Sequence, residues 1–119
     1  MKIKLFDSEL KVMEVLWREG SLTAGQLALI LKEETGWNRN TTYTVIKKCI
    51  DKGAIERSEP NFTCRALISR EEVQEQETAE FINKMFDGSA EMFFSTFINK
   101  KNLTKEEIDK LKKIVDKLK

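Results

Sequence analysis

Apolar residues recur at helical spacing through the first third of the chain. In the first predicted helix they stand three and four residues apart, at Leu10, Met13, Leu16 and Trp17. We expect this helix to begin with Asp7 as its N-cap and to end at Gly20. A second helix is expected over about 24–34, before Gly36, with four inward-facing residues, Leu27, Ala28, Ile30 and Leu31.

Three helix starts carry two coincident capping signals. In each, a Ser or Thr precedes a Glu or Gln by three residues, so that each side chain can accept from a free backbone N–H of the other residue. These pairs are Thr23 with Gln26, Ser69 with Glu72, and Thr104 with Glu107. A hydrophobic staple flanks each pair, formed by Leu22 with Leu27, Ile68 with Val73, and Leu103 with Ile108.

Residues 38–52, NRNTTYTVIKKCIDK, carry two conflicting signals. Their β-branched and aromatic residues favour a strand, yet neither face of that strand would be cleanly apolar. A helix would present one unbroken inward stripe, namely Thr42, Val45, Ile46, Cys49 and Ile50. Asn38 fits its N-cap, and Gly53 fits the position after its last turn. Because burial overrides a weak intrinsic preference, we predict a third helix.

Two short β-like segments follow, at 54–58 and 62–67, with Pro60 in the turn between them. A short glycine-containing link joins the second and third helices, as in a helix-turn-helix, and the hairpin would be a wing. Residues 1–68 are therefore predicted to form a winged helix-turn-helix DNA-binding domain.

Residues 69–119 contain only helical patterns. Helices are expected at about 70–86, 90–98 and 105–118, with a polar turn at 99–102. The predicted fold class is mainly α with a small β-hairpin, and this second half would be a separate helical domain.

Positive charge is concentrated on the third predicted helix. The whole chain of 119 residues has a net charge of only +1, but residues 36–52 hold four cations against Asp51 alone. In a winged helix this element enters the major groove, where threonine offers a hydroxyl and a methyl group to base edges and lysine contacts phosphate. The candidate DNA-binding residues are Arg39, Asn40, Thr41, Tyr43, Thr44, Lys47, Lys48 and Arg57. Two alternatives stay open: an ordinary solvated face, or a winged-helix module that binds protein and no DNA.

Large apolar side chains crowd the second half, and a unit of 51 residues cannot easily bury them against itself. The simplest arrangement is a symmetric homodimer, although packing against the first domain is an alternative. The candidate interface residues are Phe81, Met85, Met92, Phe93, Phe94, Phe97, Ile98, Ile108, Leu111, Val115 and Leu118. Two-fold symmetry would match an inverted repeat in double-stranded operator DNA.

Other functions find little support in the composition. The chain has no histidine, and Cys49 and Cys64 form no CxxC, so we expect no zinc site, no disulfide and no cofactor. No Gly-rich phosphate loop or nucleophile–base pair indicates an enzyme or a small-molecule ligand. Without an apolar run of membrane length or a secretion signal, a cytoplasmic location and no membrane partner are expected.

The ordered set of motifs resembles the penicillinase-repressor family, the BlaI/MecI-type winged-helix repressors of bacteria. The matching stretches include FDSELKVMEVLW (6–17), NRNTTYTVIKKCIDKGAI (38–55), SREEV (69–73) and LTKEEIDKLKKI (103–114). The resemblance implies a homodimeric repressor that binds a palindromic operator. It also implies base and phosphate contacts by five residues, Asn40, Thr41, Tyr43, Thr44 and Lys48.

The chain departs from the family pattern in two places. Penicillinase repressors are induced by proteolysis at an Asn–Phe bond, and the corresponding pair here is Thr96–Phe97. The wing of the family usually has glycines and an arginine at its tip, whereas this tip is SEPNF, with Glu59 and Pro60. We therefore expect weaker phosphate contacts from the wing.

Overall fold

The computed structural model describes residues 3–100 and 104–117, with side chains described throughout except at 98–100, 114, 115 and 117. The chain divides into two compact units, Met1–Arg70 and Glu71–Lys119. The elements in chain order are α1 (Asp7–Glu19), β1 (Leu22–Thr23), α2 (Ala24–Thr35), α3 (Arg39–Asp51), β2 (Ile55–Ser58), β3 (Thr63–Ala66), α4 (Arg70–Phe86), α5 (Ala90–Lys100) and α6 (Lys105–Lys117). The predicted fold class, mainly α with a small β-hairpin, is confirmed, and a third strand joins the hairpin.

The first helix starts one residue earlier than predicted. Its N-cap is Phe6, not Asp7, because the Phe6 carbonyl already accepts from the Leu10 N–H at 2.9 Å. The Phe6 N–H donates to Glu9 Oε1 at 2.8 Å, which satisfies one of the free donors at this end. Asp7 instead occupies the first helical turn, where its negative charge interacts favourably with the positive end of the helix dipole.

The predicted caps of α2 and α3 are confirmed. Thr23 Oγ1 accepts from the Gln26 N–H at 3.1 Å, and Gln26 Oε1 accepts from the Thr23 N–H at 2.9 Å. Asn38 Oδ1 accepts from the Thr41 N–H at 2.8 Å and starts α3. Gly53 follows the last turn of α3 with φ of 82°, a left-handed conformation that glycine adopts without strain.

Residues 39–51 are helical, as their apolar periodicity predicted, although their β-branched and aromatic residues favour a strand. Four of the five residues of the predicted inward stripe are buried, and Ile50 is half-buried. They meet α1 and α2, so that three mutually packed helices enclose the core. The largest fully buried apolar residues of this unit are Met13, Leu27, Leu31, Ile46 and Ile55.

The predicted hairpin is present with shorter strands and has an additional partner. The sheet has the order β1-β3-β2, and all its strands are antiparallel. Cys64 in the central strand β3 lies opposite Leu22 of β1 on one side and opposite Arg57 of β2 on the other. The two-residue strand β1 was not predicted, because two residues carry no periodicity. The Ala24 N–H donates to the Phe62 carbonyl at 2.9 Å, which ties the start of α2 to the wing.

The second unit consists of α4, α5 and α6. Helix α4 has the predicted bounds, but α5 continues to Lys100, so the predicted polar turn is wrong at its first two residues. Four rings pack together, with centroid distances of 6.0 Å for Phe81–Phe86, 5.5 Å for Phe86–Phe93 and 6.1 Å for Phe93–Phe97. Helix α6 packs against α5 and begins with the predicted capping box, in which Thr104 Oγ1 accepts from the Glu107 N–H at 3.1 Å.

Candidate nucleic-acid interface

The outer face of α3 is a polar surface beside the wing. Asn40, Thr41, Thr44, Lys47 and Lys48 are exposed on it, in the positions that the helical period predicted. The face carries one amide, two hydroxyls with their methyl groups, and two ammonium groups. These groups are short donors and acceptors of the kind that contact base edges, flanked by cations that suit phosphate.

Thr44 has a defined hydrogen-bonding capacity. Its hydroxyl donates to the Asn40 carbonyl at 2.9 Å, one turn earlier in the same helix. The hydrogen of the hydroxyl is therefore used, while the oxygen lone pairs and the methyl group remain available. Thr44 is suited to accept from a base amino group or to contact a thymine methyl.

Arg39 is held at the start of α3 by Tyr43. Its Nη2 donates to Tyr43 Oη at 2.7 Å, and its Cζ lies 4.8 Å from the centroid of the tyrosine ring. The ring itself packs edge-on against Phe62 in the wing, with centroids 5.8 Å apart. Tyr43 is half-buried, whereas the other predicted contact residues of α3 are exposed.

Arg57 completes this arrangement from the wing. Its Cζ lies 3.7 Å from the centroid of the Phe62 ring, which is close for a cation–π contact. Four side chains thus form a continuous row, here called the recognition row: Arg39, Tyr43, Phe62 and Arg57. The sequence pattern indicated Arg39, Tyr43 and Arg57 as contact residues but not Phe62, because nothing in SEPNF shows that the ring turns toward α3.

The start of α2 approaches the same place. A Cβ added to Gly25 would lie 4.0 Å from both Arg39 Nη2 and Tyr43 Oη. Since α2 is also bonded to the Phe62 carbonyl, the N-termini of two helices and the wing converge on one side of the unit. Helix N-termini favour anions, so this convergence is electrostatically suited to a phosphate backbone.

One of the four cationic side chains of residues 36–52, Lys52, forms an ion pair within the fold. Lys52 Nζ contacts Glu9 Oε1 at 2.6 Å and the Lys4 carbonyl at 2.7 Å, and it lies 4.2 Å from the centroid of the Phe6 ring. Lys47 and Lys48 form no salt bridge within the part of the chain that the structure describes. The positive charge of the outer face therefore comes from these two lysines and Arg39.

Glu9 is a buried carboxylate that sequence analysis missed. Burial raises its pKa, but hydrogen bonds from Lys52 and the Phe6 N–H and the charge of Lys52 outweigh it, so that the net pKa is lowered. A signal was present, because Glu9 stands three and four residues before the buried Val12 and Met13. A carboxylate on an inward stripe requires a partner.

The two cysteines, Cys49 and Cys64, are free and buried. Burial is the main cause that raises the pKa of Cys49 to about 12 and that of Cys64 to about 11. Neither thiol is therefore available as a nucleophile. Within the described ranges, no three His, Cys, Asp or Glu side chains are grouped to hold a metal ion, and no helix is both long and apolar enough to cross a membrane.

The predicted dimer residues of the second unit are only partly buried by their own chain. Phe81, Met85 and Met92 are 49%, 60% and 56% exposed. The half-buried members of the set are Phe93, Phe94, Phe97, Ile108 and Leu111. The side chains of Ile98, Val115 and Leu118 lie outside the described residues.

The chain is similar to known proteins over most of its length. The family model described as Penicillinase repressor matches residues 5–117. The Methicillin resistance regulatory protein MecI of Mammaliicoccus sciuri is 25% identical over 116 residues, which cover 96% of this chain and 94% of that protein. The Penicillinase repressor of Bacillus licheniformis is 25% identical over 115 residues, which cover 95% of this chain and 90% of that protein.

A solved structure matches more than half of the chain. It is the solution structure of the DNA binding domain of the repressor BlaI, with a TM-score of 0.54 and 28% sequence identity. The match covers 58% of this chain and 88% of that domain. The names of these relatives describe regulators and repressors, and none describes an enzyme. The resemblance inferred from the sequence is confirmed.

Proposed function

This chain belongs to the penicillinase repressor family, and we propose that it represses transcription as a homodimer bound to a palindromic operator. Helix α3 of each subunit would lie in the major groove of one half-site. The observation that carries the proposal is the exposed face of α3, where hydroxyls, an amide and lysines stand together beside the recognition row. Its support is the similarity of this chain, over 58% of its length, to a DNA binding domain.

Base contacts would come from the side chains near the start of α3. Thr41 and Thr44 bring acceptor oxygens and methyl groups, and Asn40 can donate and accept at an adenine edge. All three are exposed and lie within the first two turns of the helix. In helix-turn-helix proteins this end of the recognition helix contacts base edges.

Phosphate contacts would flank these residues. Lys47 and Lys48 supply point charges from the middle of α3, and Arg39 and Arg57 supply guanidinium groups from the two ends of the recognition row. Tyr43 would position Arg39 through their 2.7 Å hydrogen bond. Contacts of this kind fix the register of the protein on DNA and make affinity depend strongly on salt.

Dimerisation would use the apolar side of the second unit. Phe81, Met85 and Met92 leave about half of each side chain exposed, which is a large apolar patch for so small a unit. A second copy of the same surface is the simplest cover, because a two-fold interface is self-complementary. The dimer would hold two copies of α3 at a fixed spacing and add their contacts to one operator.

A double substitution tests the role of α3 without altering its core. We expect Thr44→Ala with Lys48→Ala to reduce affinity for a duplex selected by the wild-type protein by at least about 100-fold, since a base contact and a phosphate contact are lost in each subunit. Gel-shift titration measures the affinity, and sedimentation is expected to show an unchanged dimer. Lys11→Ala on α1 removes the same charge elsewhere and is expected to bind nearly normally. Unchanged affinity of the double variant would favour a protein-binding role for this winged helix.

A further inference from the structure

The wing arginine is already bound to an acid of its own chain. Arg57 Nε lies 3.3 Å from Glu59 Oε2, and its Nη2 lies 3.4 Å from Glu59 Oε1. The guanidinium therefore presents two donors to both oxygens of one carboxylate while its face rests on Phe62. This is the same pair of donors that a guanidinium would offer to two oxygens of a phosphate.

The pair is weak by its geometry and its surroundings. Its two contacts are longer than the roughly 2.7–2.9 Å of strong charge-assisted hydrogen bonds. The other arginine pairs of this unit are shorter, at 2.8 Å for Arg65–Glu56 and 2.7 Å for Arg18–Glu34. The side chains of Arg57 and Glu59 are 46% and 65% exposed, and pairs so exposed to solvent contribute little to stability.

The side of the hairpin that carries Arg57 is turned toward α3, the helix proposed to contact DNA. Arg57 stands opposite the buried Cys64 on the same face of the sheet, and the recognition row joins it through Phe62 and Tyr43 to Arg39. The second acid–base pair of the hairpin, Glu56 with Arg65, belongs to neighbouring positions of the strands, whose side chains point to the opposite face. Of these two hairpin pairs, the Arg57 pair is therefore the one that lies beside α3 and its proposed phosphate contacts.

We propose that Glu59 is an internal competitor of DNA phosphate for Arg57, and that it limits the affinity that the wing adds to operator binding. The proposal rests on the proposed function. Phosphate must displace the carboxylate from the guanidinium, and the displaced carboxylate then stands near the DNA backbone. The ring of Phe62 keeps Arg57 in place during the exchange, so the guanidinium changes its partner and not its position.

A double-mutant cycle in the full-length protein tests this competition. Glu59→Gln keeps the size of the side chain but removes its charge, and we expect affinity for a mixed-sequence duplex to rise roughly 3- to 10-fold, with a salt dependence steeper by about 0.9 per wing. The measurement is fluorescence anisotropy against salt concentration. In the Arg57→Gln background the same substitution is expected to have little effect. Glu56→Gln on the other face is the charge-matched control and is expected to raise affinity less.

Three results would overturn the competition. One is an affinity for Glu59→Gln equal to that of the wild-type protein. Another is an equal gain in the Arg57→Gln background, because the carboxylate would then act by repulsion alone. A gain for Glu56→Gln as large as that for Glu59→Gln would have the same meaning. If no form bound any duplex, the proposed function would fail together with this inference, whereas binding without these differences removes the inference alone.

Discussion

The two units of the molecule treat their large apolar side chains differently. In the first unit, residues such as Met13, Leu27 and Ile46 are almost completely removed from solvent by their own chain. Among the described residues of the second unit, only Val73, Ile82 and Ala90 are buried, while its rings and methionines remain partly exposed. A unit that contains many apolar residues but buries few of them exposes an apolar surface, and such a surface typically packs against another molecule.

This difference separates two contributions to the proposed function. The first unit has a filled core that holds α3, the wing and the start of α2 in a fixed arrangement before any DNA is bound. The second unit would supply the partner copy, and with it the avidity of two half-sites on one operator. Substitutions in the two units should therefore have separable effects, on dimerisation in one and on stability or base recognition in the other.

The largest effect is expected from charging the exposed apolar surface of the second unit. Met85→Glu with Met92→Glu places two carboxylates on each subunit where we propose that a second copy packs. We expect a monomer in analytical ultracentrifugation and a loss of operator affinity of about 100-fold or more, because each half-site is then bound separately. Both side chains are more than half exposed, so the helices themselves are expected to remain folded.

Leu29 provides the matched control for this surface. It lies on α2 in the first unit and is 70% exposed, so Leu29→Glu makes the same chemical change outside the proposed interface. This variant is expected to sediment as a dimer. A dimeric Met85→Glu, Met92→Glu protein would show that the contrast between the two units has another cause.

The next effect concerns the stability of the first unit. Lys52→Ala leaves the Glu9 carboxylate buried without its partner, and such a loss costs about 3 kcal/mol. We expect urea unfolding followed by tryptophan fluorescence to shift accordingly, since Trp17 and Trp37 both lie in this unit. Lys47→Ala on the exposed face is the control and is expected to change stability by less than about 0.5 kcal/mol.

The ion pair between Glu9 and Lys52 also predicts that the stability of the first unit depends on pH. The pKa of Glu9 is lower in the folded protein than its ordinary value, so the folded state binds its proton less readily than the unfolded state does. Its contribution to stability is therefore complete above the ordinary pKa of a glutamate in the unfolded chain and is lost as the pH falls through the lower folded pKa. In Glu9→Gln this loss is expected to be absent from the stability curve measured between neutral and acid pH.

The smallest effects are expected from two adjacent threonines on opposite faces of α3. Thr42 Oγ1 is buried and has no hydrogen-bond partner among the described residues, so Thr42→Val removes an unsatisfied hydroxyl and is expected to stabilise the protein by about 1 kcal/mol. Thr41→Val, on the exposed face, is expected to leave stability unchanged but to weaken operator binding by roughly 1–2 kcal/mol. Equal behaviour of the two variants in both assays would contradict the assignment of the two faces.

The sequence predicted the elements whose signals are local. Capping at Thr23 and Asn38 and the apolar stripe of α3 depend on neighbours within two turns, and these predictions were confirmed. The elements that were missed depend on contacts between distant residues. Strand β1 forms because Leu22 pairs with Cys64, and the partner of the buried Glu9, Lys52, reaches it from the far end of α3.

In the candidate site, too, features with local signals were predicted and features that depend on distant contacts were not. The period of α3 alone indicated that Thr41, Thr44 and Lys48 would be exposed, but it also placed on this face Tyr43, which is half-buried. The recognition row could not be predicted, because it requires the wing to fold back so that Phe62 touches Tyr43. The pairing of Arg57 with Glu59 could not be predicted either, because Glu59 lies beyond the end of β2, where the alternation of strand faces no longer fixes the direction of a side chain.

Selection of duplexes from a random-sequence pool tests whether two copies of α3 in a homodimer recognise one operator. We expect the wild-type protein to enrich an inverted repeat whose half-site centres lie about 34–36 Å apart, or a multiple of this distance. We also expect Thr44→Ala to relax the base preference at one symmetric position of that repeat. A pool without an enriched sequence, or with a single unrepeated half-site, would contradict recognition by the homodimer.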